Sequence, residues 1–409
     1  MIGKMSPTVV CKSGFQQKVG MNARLWRNSN SYGDMFMETC VVLTTINNPV
    51  LLKGYAENLN KYRGPKIGFI VIGDIATPHE KAKKTIAEIE EQGYVAEYCD
   101  IPAQKKWLHN YPKIAKIVPY RTDNRRNIGF LMAAEKGART IISIDDDNYA
   151  TDDEDFYKYH SIVGKKATLP TVSSTSGWFN PCTMLETDHG ASIYPRGYPF
   201  SKRRKECYTF TQTTGQIVLN MGLWTADPDV DAVTHLANPT QITHMKSSHD
   251  SIMLERGTYS PINTQNTAFH RSALPCYYYV LMNASLRGLK IDRYGDIWSG
   301  FFVKKAIDQM NERVTIGRPI AIHKRNSHNY LKDLKCELWG MLLTEEIVKW
   351  LEDYQLESGN YFDIYLEMAN GLNKLKNKFQ EYAIRKYLEK ISNAMFVWVD
   401  TCRKIMNDS

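Results

Sequence analysis

The stretch "RTIISIDDDN" at residues 139–148 decides the fold class of this 409-residue chain. A run rich in β-branched residues, typical of a buried strand, leads directly into the carboxylates of Asp145, Asp146 and Asp147. Adjacent like charges repel, and a buried carboxylate is costly unless a partner neutralises it. The cluster is therefore expected at the end of a strand, either in water or beneath a bound cation.

Three more apolar runs precede this strand and alternate with segments of helical periodicity. The predicted strands are "CVVLTTINN" (40–48), "KIGFIVIGD" (66–74), "YVAEYCD" (94–100) and "RTIISIDDD" (139–147). The helices between them are "PVLLKGYAENLNKY" (49–62), "HEKAKKTIAEIEEQG" (79–93) and "NIGFLMAAEKGA" (127–138). This alternation predicts an α/β fold with a doubly wound, Rossmann-like, mostly parallel sheet and helices on both faces. Ligands bind outside the carboxyl ends of the strands in such sheets, where Asp74 and the three aspartates fall.

The three aspartates form a candidate metal site. Because alternate residues of a strand point the same way, Asp145 and Asp147 can converge while Asp146 faces away. Carboxylates are hard ligands suited to Mg²⁺ or Mn²⁺, and this D-x-D spacing occurs in nucleotide-sugar transferases of the GT-A fold, where the cation bridges carboxylates and diphosphate. The alternative is an acidic cap or turn. Asp146 is predicted as a catalytic residue.

Residues at one other strand end and at the start of one helix are candidates for binding the nucleotide-sugar. Asp74 ends the second strand and is predicted to bind the base or ribose, or else to cap the helix that follows. Arg125 and Arg126 precede the helix at 127, where guanidinium groups and a helix N-terminus both favour phosphate. The alternative for this pair is a surface ion pair with Asp123.

Six stretches along the chain, in order, resemble characteristic segments of the reversibly glycosylated polypeptide family, which includes the plant UDP-arabinopyranose mutases. The most specific is R-G-Y-P-F-S within "IYPRGYPFSKRR" (193–204). The others are "IISIDDDN" (141–148), "MGLWTADPDVDA" (221–232), "NTQNTAFHR" (263–271), "RYGDIWSGFFVK" (293–304) and "IHKRNSHNYLKDLKCELWG" (322–340). The resemblance covers roughly residues 38–345. Asn148 stands where the family has cysteine, and "KRRKEC" adds basic residues after Ser201.

The resemblance implies a GT-A fold, a UDP-sugar donor and a divalent cation. It also implies that Arg196 matches the arginine that carries the sugar in that family. Guanidinium is protonated at ordinary pH and has no lone pair to offer, so a clamp on the diphosphate leaving group is the simpler role, and a structural turn is the alternative. Asp296 is predicted as a general base or sugar ligand, with a helix N-cap as the alternative.

Two more site residues come from the last of these stretches. His323 matches the family histidine and is predicted to complete the metal site with Asp145 and Asp147, the alternative being a buried structural histidine. Lys324 beside it is predicted to hold phosphate. Asp145 is also counted among the residues that contact the nucleotide-sugar.

The chain is expected to divide into three parts. Residues 1–35 form an N-terminal arm, residues 36–330 the GT-A nucleotide-sugar domain, and residues 331–409 a C-terminal helical extension. An apolar stripe in that extension, including Ile347, Leu351 and Met368, indicates core packing, with a homo-oligomer seam as the alternative.

Composition narrows the class of protein further. Eight scattered cysteines without a C-x-x-C pair indicate free thiols and a cytoplasmic location, and we expect no signal peptide and no membrane span. The net charge of +8 suits a phosphate-bearing partner. The leading hypothesis is a metal-dependent glycosyltransferase that uses a UDP-sugar, such as UDP-arabinose, and glycosylates an acceptor (a sugar or glycan) or itself.

Two alternatives remain. One is a mutase that interconverts the pyranose and furanose forms of UDP-arabinose. The other covers two cases: a transferase acting on a polyanionic acceptor such as nucleic acid, or a nucleotide-sugar-binding protein without catalysis. Three retained carboxylates argue against the degenerate site that the non-catalytic protein would have.

Overall fold

The computed structural model of the protein describes residues 37–205, 207–325 and 329–407, except the side chains of residues 319 and 320. The predicted N-terminal arm, residues 1–35, lies outside these ranges. The strands are β1 (Thr39–Thr45), β2 (Gly68–Gly73), β3 (Val95–Cys99), β4 (Thr140–Ile144), β5 (Asn148–Ala150), β6 (Lys166–Ser174), β7 (Leu185–Thr187), β8 (Tyr208–Ala226), β9 (Ile242–Met245), β10 (Ser251–Leu254), β11 (Asn266–His270), β12 (Ala284–Leu286), β13 (Leu289–Ile291) and β14 (Arg313–His323).

Eleven α-helices fall within the same ranges. They are α1 (Leu51–Lys61), α2 (His79–Glu90), α3 (Ile101–Leu108), α4 (Pro112–Ala115), α5 (Arg126–Glu135), α6 (Phe156–His160), α7 (Ala232–Ala237), α8 (Gly295–Gln309), α9 (Tyr330–Asp353), α10 (Tyr361–Leu375) and α11 (Tyr382–Asn407). The four strands and three helices predicted before residue 145 are all present, with ends shifted by a few residues.

The predicted parallel strands form one side of a large mixed sheet. They lie in the order β3–β2–β1–β4, and every neighbouring pair is parallel. Side chains alternate between two cores: Val42 and Ile72 face one, and Val41 and Val71 face the other. Burial on both faces explains why these strands are continuous apolar runs. The prediction of an α/β fold is confirmed.

Beyond β4 the sheet contains both antiparallel and parallel pairs. β11 joins β4 to β8, a strand of 19 residues. The first half of β8 pairs with β6, and its second half pairs in parallel with β14. This long strand carries the sheet past the parallel part and brings the end of β14 beside the start of β5.

The C-terminal helices pack on the α/β part of the chain. Ile347, Leu351 and Met368 are buried in the same core as α5 and α8. These three residues of the apolar stripe on which the oligomer prediction rested are therefore covered by this chain itself, and the homo-oligomer stays a prediction. Within the described part of the chain, no helix combines the length and apolar character needed to cross a membrane.

Candidate active site

Two cavities meet at the carboxyl ends of the parallel strands. The first cavity, of about 130 Å³, is lined by five carboxylates, those of Asp123, Asp145, Asp147, Asp229 and Asp296. It is also lined by four groups that carry or accept positive charge, those of Arg196, Arg293, His323 and Arg325. The second cavity, of about 350 Å³, lies at the ends of β1 and β2 and is lined by Thr45, Asp74, Arg121 and Asp146 among others. Asp123 and Arg293 line both, so the two cavities adjoin.

The three adjacent aspartates are divided between these cavities. β4 ends at Ile144, and the chain turns through Asp145–Asp147 into β5. Asp145 and Asp147 face the first cavity, whereas Asp146 faces the second and accepts hydrogen bonds from Thr45 Oγ1 (2.6 Å) and Asn47 Nδ2 (3.0 Å). The expected convergence of the outer two carboxylates is therefore present, but a turn produces it rather than the pleat of a strand.

Asp145 is paired with Arg126 at the start of α5. The Arg126 guanidinium also donates to Ser143 Oγ (2.8 Å) and to the carbonyl of Thr264 (2.7 Å), which fixes its position. Loss of water around the carboxyl group, opposed by Arg126 and assisted by the charge of Asp147, raises the pKa of Asp145 to about 6. Arg126 thus holds the Asp145 carboxylate in place and offsets part of the negative charge of the three aspartates.

Arg125 and Lys324 are not brought to these cavities. Arg125 is fully buried, donates to Gln104 Oε1 (2.9 Å from Nε), and stacks on the ring of Tyr120 at 4.2 Å. Lys324 is exposed, and its Nζ lies 5.3 Å from the Tyr149 ring. Neither side chain lines the first or the second cavity.

His323 faces Asp147 across the first cavity. β14 pairs with β5 so that His323 lies beside Asn148, and His323 Nε2 comes within 3.4 Å of Asp147 Oδ2. Its Nδ1 lies 2.7 Å from the carbonyl of Asp227. Burial opposes protonation, but the Asp147 carboxylate raises the pKa of His323, and the same contact lowers the pKa of Asp147 against the effect of burial.

The donor set suits a cation that keeps other ligands. Among the described residues, no group of three or more His, Cys, Asp or Glu side chains is placed to hold a metal ion by itself. Mg²⁺ commonly uses one or two protein carboxylates and completes its shell with water and substrate phosphate. A histidine whose Nδ1–H is held by a carbonyl presents Nε2 as a ligand. Asp147 and His323 fit such a site, while one oxygen of Asp145 is already bound to Arg126.

Arg196 is held between two buried carboxylates in the first cavity. Asp229 binds it in a fork, with Nε–Oδ1 at 2.9 Å and Nη2–Oδ2 at 3.1 Å. Asp296 accepts from Nη1 (3.2 Å) and Nη2 (3.0 Å), and the carbonyl of Arg293 accepts from Nη1. Burial opposes the charge, but the two carboxylates raise the pKa of Arg196 above its ordinary value. The guanidinium is therefore charged at every ordinary pH.

The packing of α8 positions the Asp296 carboxylate beside Arg196. Tyr294 is the N-cap of α8, so Asp296 lies in the first turn of the helix rather than at its cap. A Cβ at Gly300 would come within 2.0 Å of the carbonyl of Ile262, so α8 lies directly against that backbone. This close approach fixes the helix, and the first-turn carboxylate is stabilised by the helix N-terminus.

Asp74 orders the rim of the second cavity. Its carboxylate accepts from the backbone N–H groups of Ile75 (2.7 Å), Arg121 (2.5 Å) and Thr122 (3.2 Å). The following helix, α2, has Pro78 as its N-cap, so Asp74 is not a helix cap. It instead holds together two loops that line the cavity.

The family model described as "Reversibly glycosylated polypeptide" matches residues 105–407, about three quarters of the chain. The chain belongs to the reversibly glycosylated polypeptide family. This confirms the resemblance, and the match extends through the C-terminal helices, beyond the motifs that first indicated it. UDP-arabinopyranose mutase 3 of Arabidopsis thaliana is 28% identical over 298 residues, 71% of this chain and 74% of that protein.

Two further relatives and one solved structure are also similar to the chain. UDP-arabinopyranose mutase 2 of Arabidopsis thaliana is 27% identical over 290 residues, 70% of this chain and 73% of that protein. A protein named probable inactive UDP-arabinopyranose mutase 2, from Oryza sativa, is 26% identical over 57% of this chain and 63% of its own length. A mannosyltransferase from Pyrobaculum calidifontis, solved with GDP-Man and Mn²⁺, shares 10% identity at a TM-score of 0.31, covering 92% of this chain and 76% of that one.

Several residues of this family member reach the site without having been singled out in the sequence. Asp229 lies in "MGLWTADPDVDA", and Arg293 begins "RYGDIWSG", so both motifs were noticed although neither residue was. Asp123, expected only as an ion-pair partner, accepts instead from the Tyr279 hydroxyl and lines both cavities. The sequence did carry one indication of these site residues, because Asp229 and Arg293 are charged residues within the matched motifs.

Proposed function

We propose that this protein is a metal-assisted enzyme that cleaves the bond between sugar and diphosphate in a UDP-sugar and passes the glycosyl group to an acceptor or to its own Arg196. One observation carries the proposal: the charged Arg196, fixed by Asp229 and Asp296, lies in a small polar cavity that adjoins the cavity at the strand ends. The names of the relatives as UDP-arabinopyranose mutases support UDP as the nucleotide and arabinose as a candidate sugar.

Because the site consists of two adjoining cavities, we assign a different part of the substrate to each. The second cavity, which is bounded by the loops that Asp74 holds together, suits the nucleoside. Asp146 lines this cavity and is hydrogen-bonded to Thr45 at the end of β1. The first cavity suits the sugar and the reacting bond. Asp147 and His323 would hold a Mn²⁺ or Mg²⁺ ion, and when bound the ion would offset charge on the departing diphosphate.

Arg196 acts in this proposal as a fixed positive charge. Its two carboxylates keep it protonated, so it stabilises charge that develops on the diphosphate as the glycosyl bond breaks. If it instead receives the sugar, an Nη–C1 bond forms while the C1–O bond to UDP breaks. The released proton then passes to Asp296, which lies 3.0 Å from Nη2.

A mutase that interconverts UDP-arabinopyranose and UDP-arabinofuranose is the second candidate. The volume of the first cavity, about 130 Å³, and its charged lining favour it, because they suit one sugar unit that is reorganised in place. The names of the relatives favour it as well. A transferase with an anionic acceptor, nucleic acid included, has only the basic segment after Ser201 in its support. We place the protein in the cytoplasm because its seven described cysteines are free thiols.

Incubation with radiolabelled UDP-arabinose and Mn²⁺, followed by chromatography of nucleotides and protein, tests the proposal. UDP release that depends on an acceptor, or label that stays on the protein, supports transfer. A new UDP-arabinose isomer without net UDP release supports the mutase. Arg196→Ala is expected to lose each of these, whereas Arg318→Ala, which removes a surface arginine paired with Asp250, is expected to keep them. Absence of UDP binding by the wild-type protein would contradict both candidates.

A further inference from the structure

Arg293 occupies the junction of the two cavities. It lines both of them, and it lies between β13 and the start of α8. Its backbone has a φ of +64°, a left-handed conformation that is unfavourable for a residue with a Cβ. Strain of this kind persists where the surrounding structure imposes it, and it is concentrated at functional sites. The Asp292 carboxylate accepts from the Arg293 N–H at 2.9 Å and helps to hold this conformation.

A fully buried carboxylate of the C-terminal helical region orients the Arg293 side chain. Glu337 of α9 has no exposed surface, and its Oε1 accepts from Arg293 Nε at 2.7 Å. Its other oxygen accepts from the N–H of Ala232 at 2.8 Å, at the start of α7. Both oxygens are therefore used, and the carboxylate is fixed by two separate elements. Burial raises the pKa of Glu337, while the charge of Arg293 opposes the rise.

The rest of the Arg293 guanidinium is available for a ligand. Among the described residues, hydrogen bonds from this side chain are found only at Nε, so Nη1 and Nη2 have no protein acceptor there. A quarter of the side chain (24%) is exposed. Guanidinium forks match the oxygens of phosphate groups, and a charged donor left without a partner in a partly buried site is costly. The arrangement is that of a cation held ready for an anion.

We propose that Arg293, positioned by Glu337 from α9, binds the diphosphate of the nucleotide-sugar where it passes from the second cavity into the first. Asp123 and Asp292 also face the second cavity, so a diphosphate at the junction requires a cation from the protein to offset them. This inference rests on the proposed UDP-sugar function. It also gives the C-terminal helices a part in the site, since α9 supplies Glu337.

A comparison of uridine, UMP and UDP separates this role from a general effect on the fold. Binding of each is measured by titration calorimetry in Mn²⁺ to the full chain, and the melting temperature verifies folding. Arg293→Gln is expected to weaken UDP binding about 10- to 100-fold and to leave uridine binding within about twofold, because only the diphosphate uses the guanidinium. Arg293→Lys is expected to recover part of the UDP affinity, since it keeps the charge but loses the fork.

The chain offers a matched control. Arg287 also has a left-handed backbone (φ +49°) and also pairs with a glutamate, Glu381, but its side chain is 67% exposed and lines neither cavity. Arg287→Gln is expected to leave all three affinities unchanged. Equal binding of UDP to wild type and Arg293→Gln overturns the inference and leaves the proposed function standing. Failure of the wild-type protein to bind UDP overturns the proposed function and this inference together.

Glu337→Gln tests the positioning role separately. The variant keeps the length of the side chain but loses its charge and one acceptor, so UDP affinity is expected to fall about 3- to 10-fold while uridine affinity is kept. A fall of the same size for uridine and UDP means that Glu337 only stabilises the fold, and it overturns the positioning assignment. Unchanged UDP affinity in a folded Glu337→Gln variant overturns it as well.

Discussion

Replacement of Asp229 by asparagine tests the ion-pair network that holds Arg196. The wild-type carboxylate accepts two bonds from the guanidinium and a third from Asn263 Nδ2 at 2.9 Å, and it is almost fully buried. Asparagine has nearly the same shape but offers one acceptor oxygen instead of two. Whichever way its amide is turned, its own NH₂ group then faces a donor of Arg196 or of Asn263.

The expected loss of stability is about 3 kcal/mol. Removing one partner of a buried ion pair typically costs about 3–5 kcal/mol, because a charge is left buried without compensation. Asp296 still neutralises Arg196 in the variant, which places the loss at the lower end. The donor that loses its acceptor accounts for about 1–3 kcal/mol of this loss. The remainder comes from the part of the Arg196 charge that Asp296 does not neutralise.

Urea unfolding of both proteins, followed by circular dichroism, measures this difference. Asp250→Asn is the matched control, since Asp250 pairs with Arg318 at 2.8 Å but is 67% exposed, and it should cost less than about 1 kcal/mol. If Asp229→Asn costs no more than Asp250→Asn, with the same dependence on urea concentration, Asp229 does not hold Arg196 as described.

The same pair predicts how the difference depends on pH. Although burial opposes it, the charge of Arg196 holds the pKa of Asp229 below its ordinary value of about 3.9. A lowered folded-state pKa contributes stability above the unfolded-state value, and that contribution disappears as the pH falls. The gap between wild type and Asp229→Asn should therefore be constant from about pH 8 to 5 and should narrow below about pH 4. A gap that widens in acid would contradict the assignment.

Further substitutions separate the neighbouring parts of the site. Asp147→Asn is expected to lower kcat about 100-fold in Mn²⁺, whereas Asp146→Asn, in the second cavity, should change KM for the UDP-sugar with kcat kept within about threefold; equal effects on kcat in steady-state assays would contradict the division. Gly197→Ala should destabilise the protein by about 2–4 kcal/mol in urea, because φ is +83° and the new Cβ would lie 2.3 Å from Ile297 Cγ2. Gly190→Ala, at φ +71° in open space, should cost only about 1–2 kcal/mol, and equal losses would show that the Ile297 contact is unimportant.

The sequence by itself determined the parallel half of the sheet and the edge of that sheet where the two cavities lie. Strands such as 140–144 are recognisable because residues buried on both faces form continuous apolar runs, and this depends only on neighbours along the chain. The carboxyl ends of these strands follow from the same pattern, so Asp74 and Asp145–Asp147 were located before any contact was known. The ordered motifs identified the family for the same reason, since they are local.

Only the tertiary structure decided which charged groups meet. Arg196 finds Asp229 and Asp296 across 33 and 100 residues of chain, and the Arg293 guanidinium is held by Glu337 from a helix expected to be an appendage. Arg125 and Arg126 are adjacent, yet one bonds to Gln104 in the core and the other to Asp145. Local periodicity states which face of an element a residue occupies, but the partner on that face is set by packing between elements distant in sequence. Charge pairing depends on that partner, and so the site's electrostatics could not be predicted from the sequence.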